Sequence, residues 1–120
     1  MIKGITKEQH WITDYSYVHL VMAAPKLIGF DDEEKVARLC YAVSSATLMY
    51  SLLTDAKWGA IPLIPYKTHA ALDLAQGALA LTAASTLKIK NKKARNTLIA
   101  MGLTGITVGI LSLISAKNKW

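Results

Sequence analysis

Apolar residues gather in four blocks, Tyr15–Phe30, Val36–Leu53, Ala70–Leu87 and Thr97–Ala116, separated by short polar or proline-bearing stretches. The first block carries Lys26, the third carries Asp73 and Gln76, and the fourth has no charged residue. A helix rises about 1.5 Å per residue, so a block of about 18–20 residues covers the roughly 30 Å hydrocarbon thickness of a bilayer. The pattern predicts an all-α polytopic membrane protein of four transmembrane helices. Breaks are expected near Phe30–Lys35, Thr54–His69 and Lys88–Arg95. Pro62 and Pro65 exclude a regular helix through the central connector. Short connections favour antiparallel neighbours.

A second pattern lies on the first. "QHWITD" at 9–14 and "THAALD" at 68–73 each place a histidine four residues before an aspartate at the head of an apolar run. "AAPKLIGF" (23–30) follows the first pair and "AASTLKIK" (83–90) the second, then a charged turn, "DDEEKVAR" or "NKKAR", and another apolar stretch. The chain therefore reads as one membrane domain, 1–120, made of two repeated helical hairpins. Repeat 1 spans about 9–54, the connector 55–67 and repeat 2 about 68–116. A unit with an even number of spanning helices returns to the side it started from, so both copies share an orientation. His10, Asp14, His69 and Asp73 are expected on one face of the membrane.

"HWITDYSYVHLVMAAPKLIGF", "SLLTDAKWG" and "IPLIPYKTHAALDLAQGALALTAAS" resemble the SPW repeat family of small bacterial membrane proteins. The resemblance covers roughly residues 9–90, and the "TD…G…IP" connector with "HAALD" is its most specific part. The Ser-Pro-Trp motif that names the family is replaced here by Ala24-Pro25-Lys26 and Ala84-Ser85-Thr86. The resemblance implies a multi-pass bundle in the bacterial inner membrane and implies no enzymatic activity.

Composition fits this picture. The hydrophobic fraction is 52%, charged residues make up 18%, and the mean hydropathy is +0.29. Soluble domains carry about 25% charged residues. Met1–Asp14 has no apolar stretch of the kind that precedes a cleavage site, so the membrane segments are expected to direct insertion. The single cysteine, Cys40, lies within the second block and is expected to pack there.

The net charge is +6, and "KIKNKKAR" supplies Lys88, Lys90, Lys92, Lys93 and Arg95. Between two membrane helices such a cluster suits anionic lipid headgroups rather than nucleic acid. The acidic turn "DDEEK" is expected on the same face, where it could pair with the basic one. Lys and Arg divide almost evenly, seven in the two turns and six on the other side. The tight cluster favours placing the turns in the cytoplasm. Trp11, Trp58 and Trp120, with Tyr15 and Tyr66, fall on the opposite side, as an interfacial belt would.

The chemistry-bearing residues admit two readings. Residues i and i+4 on a helix share a face. An aspartate near a helix start can cap it and hold a histidine, each half closing its own His–Asp pair, with no metal or cofactor bound. The other reading is a site, in which two histidines and two carboxylates bind a metal, a quinone or a headgroup, or relay protons. No phosphate loop, Cys/His zinc spacing or nucleophile elbow is present. The first reading leads to a non-catalytic membrane protein, an accessory or structural subunit whose partners are lipids and other membrane subunits.

"GLTGITVG" adds Gly102, Gly105 and Gly109 on one face of the fourth helix, the spacing that permits close helix approach. This face is expected to pack inside the bundle against small residues of the second helix, such as Ala42, Ser45 and Ala46. Leu103, Ile106, Ile110 and Leu113 would then meet lipid or a partner. His19 is expected to face another helix.

Overall fold

The computed structural model describes residues 7–54, 61 and 63–117, with the side chains of residues 7, 8 and 115–117 left aside. Trp58, Trp120, Pro62 and the connector segment 55–60 lie outside the described residues. The chain is all-helical: α1 (Lys7–Ala24), α2 (Glu34–Leu52), α3 (Tyr66–Thr86) and α4 (Lys92–Lys117). Among the described residues one segment, Lys92–Ile114 in α4, is long and apolar enough to cross a membrane. The second block contains Arg38, an exposed side chain 3.9 Å from Glu34, and α1 and α3 carry the His–Asp pairs and Gln76.

Several helix boundaries have a local cause. Pro25 lacks an N–H, and the chain widens there into a π-helical turn, Pro25–Gly29, closed by Phe30 N–H on the Pro25 carbonyl at 2.8 Å. Gly29 ends it at φ +92°, a conformation that costs a β-carbon strain. The connector folds back on the end of α2, where Leu63 and Ile64 donate to the Leu53 carbonyl. Pro65 then precedes the first residue of α3. Asn91 caps α4, its Oδ1 accepting the Lys93 N–H at 2.9 Å.

α3 and α4 pack along their length, as do α1 and α2. The first pair is held by glycine. A β-carbon on Gly105 would lie 2.8 Å from the Asp73 carbonyl oxygen and 2.9 Å from Gly77 Cα, and one on Gly109 2.7 Å from Leu74 Cγ. The glycine face of α4 thus meets α3 through Gly77, and not α2 as the sequence led us to expect. Ala42, Ser45 and Ala46 are exposed instead, because α2 turns Cys40, Val43, Ser44 and Thr47 inward. Cys40 is fully buried against Met101, with Sγ 3.8 Å from Sδ.

The charged turns do meet, through a different link. Glu33 accepts the backbone N–H groups of Lys90 and Asn91, both at 2.9 Å, and Asn91 Nδ2 donates to the Gly29 carbonyl. The carboxylate therefore holds the backbone just ahead of α4 and, among the described residues, does not pair with a lysine ammonium. Lys88, Lys90, Lys92, Lys93 and Arg95 remain exposed around it.

Candidate functional site

Side chains from the first turns of α1 and α3 meet. α3 begins 59 residues after α1, and His69 and Asp73 follow His10 and Asp14 by the same step. The i, i+4 spacing turns both members of each pair to the inner face of its helix. All four side chains are buried. Neither aspartate caps a helix, since each sits two turns inside it.

The pairs do not close separately. His10 Nε2 lies 2.9 Å from Asp14 Oδ2 within α1, but Asp14 Oδ2 also lies 2.8 Å from His69 Nε2 on α3. Asp73 Oδ2 completes the ring at 3.4 Å from His69 Nε2 and 3.5 Å from His10 Nε2. Nitrogen and oxygen alternate around four corners, and the ligand-type atoms lie within 4.8 Å of one another. This differs from the expectation of one self-contained pair per half. The shortest contact crosses between halves because the inner faces of α1 and α3 turn these side chains toward each other.

Hydroxyl groups from the other elements finish the site. His69 Nδ1 is 2.7 Å from Thr54 Oγ1 at the end of α2. Tyr50, one turn earlier, donates to Asp73 Oδ1 at 2.6 Å and accepts from Gln76 Nε2 at 3.2 Å. Tyr17 in turn donates to Gln76 Oε1 at 2.9 Å. His10 Nδ1 lies 2.7 Å from Tyr66 Oη and 3.2 Å from Ser112 Oγ of α4. Every helix thus contributes, and the rings of His10 and His69 meet edge to face at 4.9 Å.

Sequence reasoning had not singled out Tyr50, Thr54, Tyr66, Gln76 or Ser112 as parts of this site. The repeat held one signal, since Ser112 stands 58 residues after Thr54, the step that also separates the starts of α2 and α4. His19 takes no part. It is exposed, with Nδ1 2.6 Å from the carbonyl of Tyr15 on its own helix, so it does not face a neighbouring helix.

Among the described residues the quartet residues are at most 4% exposed. The cavity touching Asp14 and Asp73 holds about 10 Å³, bounded by Tyr17, Gln76, Thr104 and Gly105. One water needs roughly that much. Larger spaces lie elsewhere: an apolar groove of about 340 Å³ between α1 and α4, and a polar one of about 540 Å³ between the charged turns. Compared with protein families, characterised proteins and solved structures, the chain matches none.

Proposed function

We propose that this chain is a non-catalytic, four-span membrane protein that serves as an accessory or structural subunit of a larger membrane complex. The observation that supports it is a set of polar side chains buried beside the apolar core while large aliphatic side chains stand outside. His10, Asp14, Ser44, Thr47, His69, Asp73 and Ser112 are buried, while Leu20, Leu27, Met49, Leu79 and Leu103 stand more than half exposed, Leu27 at 77%. In water that arrangement wastes apolar burial and costs polar desolvation. In lipid it is the favourable one, because hydrocarbon surrounds the aliphatic faces and the polar groups satisfy one another inside.

The same distribution accounts for α1, α2 and α3 falling short of a spanning composition. His10, Asp14, Ser44, Thr47, His69 and Asp73 lower their hydropathy yet point inward, while Ser16, His19 and Ser45 are exposed exceptions. In this reading Lys88, Lys90, Lys92, Lys93 and Arg95 contact anionic headgroups on the cytoplasmic side of an inner membrane. Trp11 and Tyr15 mark the opposite interface. The burial of the quartet, with space of about one water beside Asp14 and Asp73, favours a structural role over turnover. The likeness of residues 9–90 to SPW repeat proteins points the same way.

Single-cysteine labelling in membrane vesicles tests the topology. In a Cys40→Ser background, Asp31→Cys and Asn91→Cys should react from one side and Lys67→Cys from the other. Labelling of all three from one side would overturn four spans. Native gels of mild-detergent extracts test the subunit role: migration at the mass of the chain with its detergent alone would overturn it.

A further inference from the structure

We propose that His10, Asp14, His69 and Asp73 hold one divalent first-row transition-metal ion, through both Nε2 and both Oδ2 atoms, as a closed structural site joining α1 to α3. Four such ligands about 2.0–2.2 Å from a central ion stand about 3.3–3.6 Å apart in a tetrahedron. The ring has its nitrogen–oxygen edges at 2.8, 2.9, 3.4 and 3.5 Å. The edges need to move by a few tenths of an ångström, and the nitrogen–nitrogen and oxygen–oxygen diagonals, which lie within 4.8 Å, must close further as an ion draws the four side chains inward.

Proton bookkeeping argues for the ion. The Thr54 hydroxyl has one hydrogen, and it donates that hydrogen to the Tyr50 carbonyl. Toward His69 Nδ1, 2.7 Å away, Thr54 Oγ1 can therefore only accept. His69 carries its proton on Nδ1, and a neutral ring then aims the Nε2 lone pair at Asp14 Oδ2, 2.8 Å away. Two lone pairs do not face each other at that distance unless a cation lies between them. Either the ring is an imidazolium or a metal ion takes the position.

Asp73 supplies a second, independent sign. Its Oδ1 accepts the Tyr50 hydroxyl, whereas its Oδ2 is buried, accepts no hydrogen bond and points into the ring. A buried carboxylate oxygen without a donor is costly unless a cation meets it. The surroundings also follow the pattern of metal sites. A ligating imidazole gives its other N–H to an oxygen, as His69 does to Thr54, and a ligating carboxylate is steadied by its second oxygen, as Asp73 is by Tyr50.

Ligand type and charge narrow the ion. Two imidazoles with two carboxylates suit zinc, iron, cobalt or manganese in the divalent state better than calcium, which takes six to eight oxygens. Two carboxylates neutralise a 2+ charge inside the bundle. Four protein ligands leave no open position, which marks structural sites. The proposal does not depend on whether the helices span a membrane.

The test uses the full-length protein in detergent, stripped with chelator and titrated with Co²⁺ alone. One Co²⁺ per chain is expected, with visible absorption of a low-symmetry site and a raised thermal midpoint. Long-range proton–nitrogen spectra of the zinc-loaded protein should show His69 protonated at Nδ1 and not at Nε2. Absence of Co²⁺ and Zn²⁺ uptake by folded protein, with both ring nitrogens protonated, would overturn the proposal in favour of an imidazolium–carboxylate cluster. Asp73→Asn keeps the volume and should weaken Co²⁺ binding at least tenfold with helix content unchanged; equal affinity would overturn it. Should that variant fail to fold, Thr54→Val, which retains all four ligands, is expected to weaken Co²⁺ binding about 10- to 100-fold. Unchanged affinity there would remove the positioning argument on which the ion rests.

Discussion

In the second half of the molecule α4 lies on α3 through glycine, while the corresponding positions of the first half carry hydroxyl residues. The 58-residue step that takes Thr54 to Ser112 also takes Ser44, Thr47 and Ser51 to Gly102, Gly105 and Gly109. Ser44 turns its hydroxyl back on the Cys40 carbonyl at 2.8 Å, satisfying itself within α2. The glycines leave nothing to satisfy, and α3 and α4 approach until backbone meets backbone. The first half keeps its helices further apart and fills the interval with side chains such as Val21, Val36 and Val43. Of the two helix pairs, one has been closed by removing side chains and the other by burying them.

The carboxylates show the same inequality, and here the largest effect is expected. Asp14 Oδ2 lies 2.9 Å from His10 and 2.8 Å from His69, whereas Asp73 Oδ2 stands 3.4 and 3.5 Å from the two rings. Asp14 therefore carries the link between halves. Removing one member of a buried ion pair costs about 3–5 kcal/mol. In chelator-treated protein, Asp14→Ala should lower the thermal midpoint in detergent more than Asp73→Ala does. Equal losses would show that the ring is evenly shared and that the distances mislead.

The helix seams come next. A β-carbon at Gly105 would meet the Asp73 carbonyl oxygen and Gly77 Cα at under 3 Å, and backbone cannot move aside as a side chain can. Overpacking of that kind costs about 1–3 kcal/mol for Gly105→Ala. Gly105→Leu should reduce folded yield even in isolated protein. Thr47→Ala, at the matching position of α2, removes a small buried side chain and should cost about 1 kcal/mol. If Gly105→Leu folds normally but loses an oligomer or a partner, the glycine face is an outer surface and the comparison fails.

Much of this plan was legible in the chain. The breaks expected near Phe30–Lys35, Thr54–His69 and Lys88–Arg95 overlap the observed gaps between helices, but the change at Pro25, inside the first apolar block, was not read from the chain. Co-location of the two His–Asp pairs followed from an even number of helices per repeat. The cross-link from His69 to Asp14 was not legible, because i, i+4 spacing describes one helix and says nothing of its neighbour. Gly77 was missed for a related reason. A lone glycine in "LAQGALAL" has no periodicity, and its meaning lies in Gly105 on another helix. The hydroxyls at Tyr50, Thr54 and Ser112 look like any small or aromatic residue of an apolar helix until the imidazoles they serve are in place.

The smallest effect expected separates those two hydroxyl supports. Thr54 and Ser112 occupy equivalent places, each beside the Nδ1 atom of the histidine on the other half's first helix. Their burdens differ. His69 Nδ1 has Thr54 at 2.7 Å, and Thr54 has spent its own proton on the Tyr50 carbonyl, so the contact has one possible direction. His10 Nδ1 has Tyr66 at 2.7 Å as well as Ser112 at 3.2 Å. Thr54→Val replaces an acceptor by a methyl of the same shape and takes that acceptor from a buried N–H, which costs about 1–3 kcal/mol. Ser112→Ala removes the longer of two contacts and should cost about 0.5 kcal/mol. Chemical denaturation in detergent, with paired variants measured on chelator-treated protein, reads the difference. A loss at Ser112 as large as that at Thr54 would mean that Tyr66 does not support His10 and that the two halves hold their histidines alike.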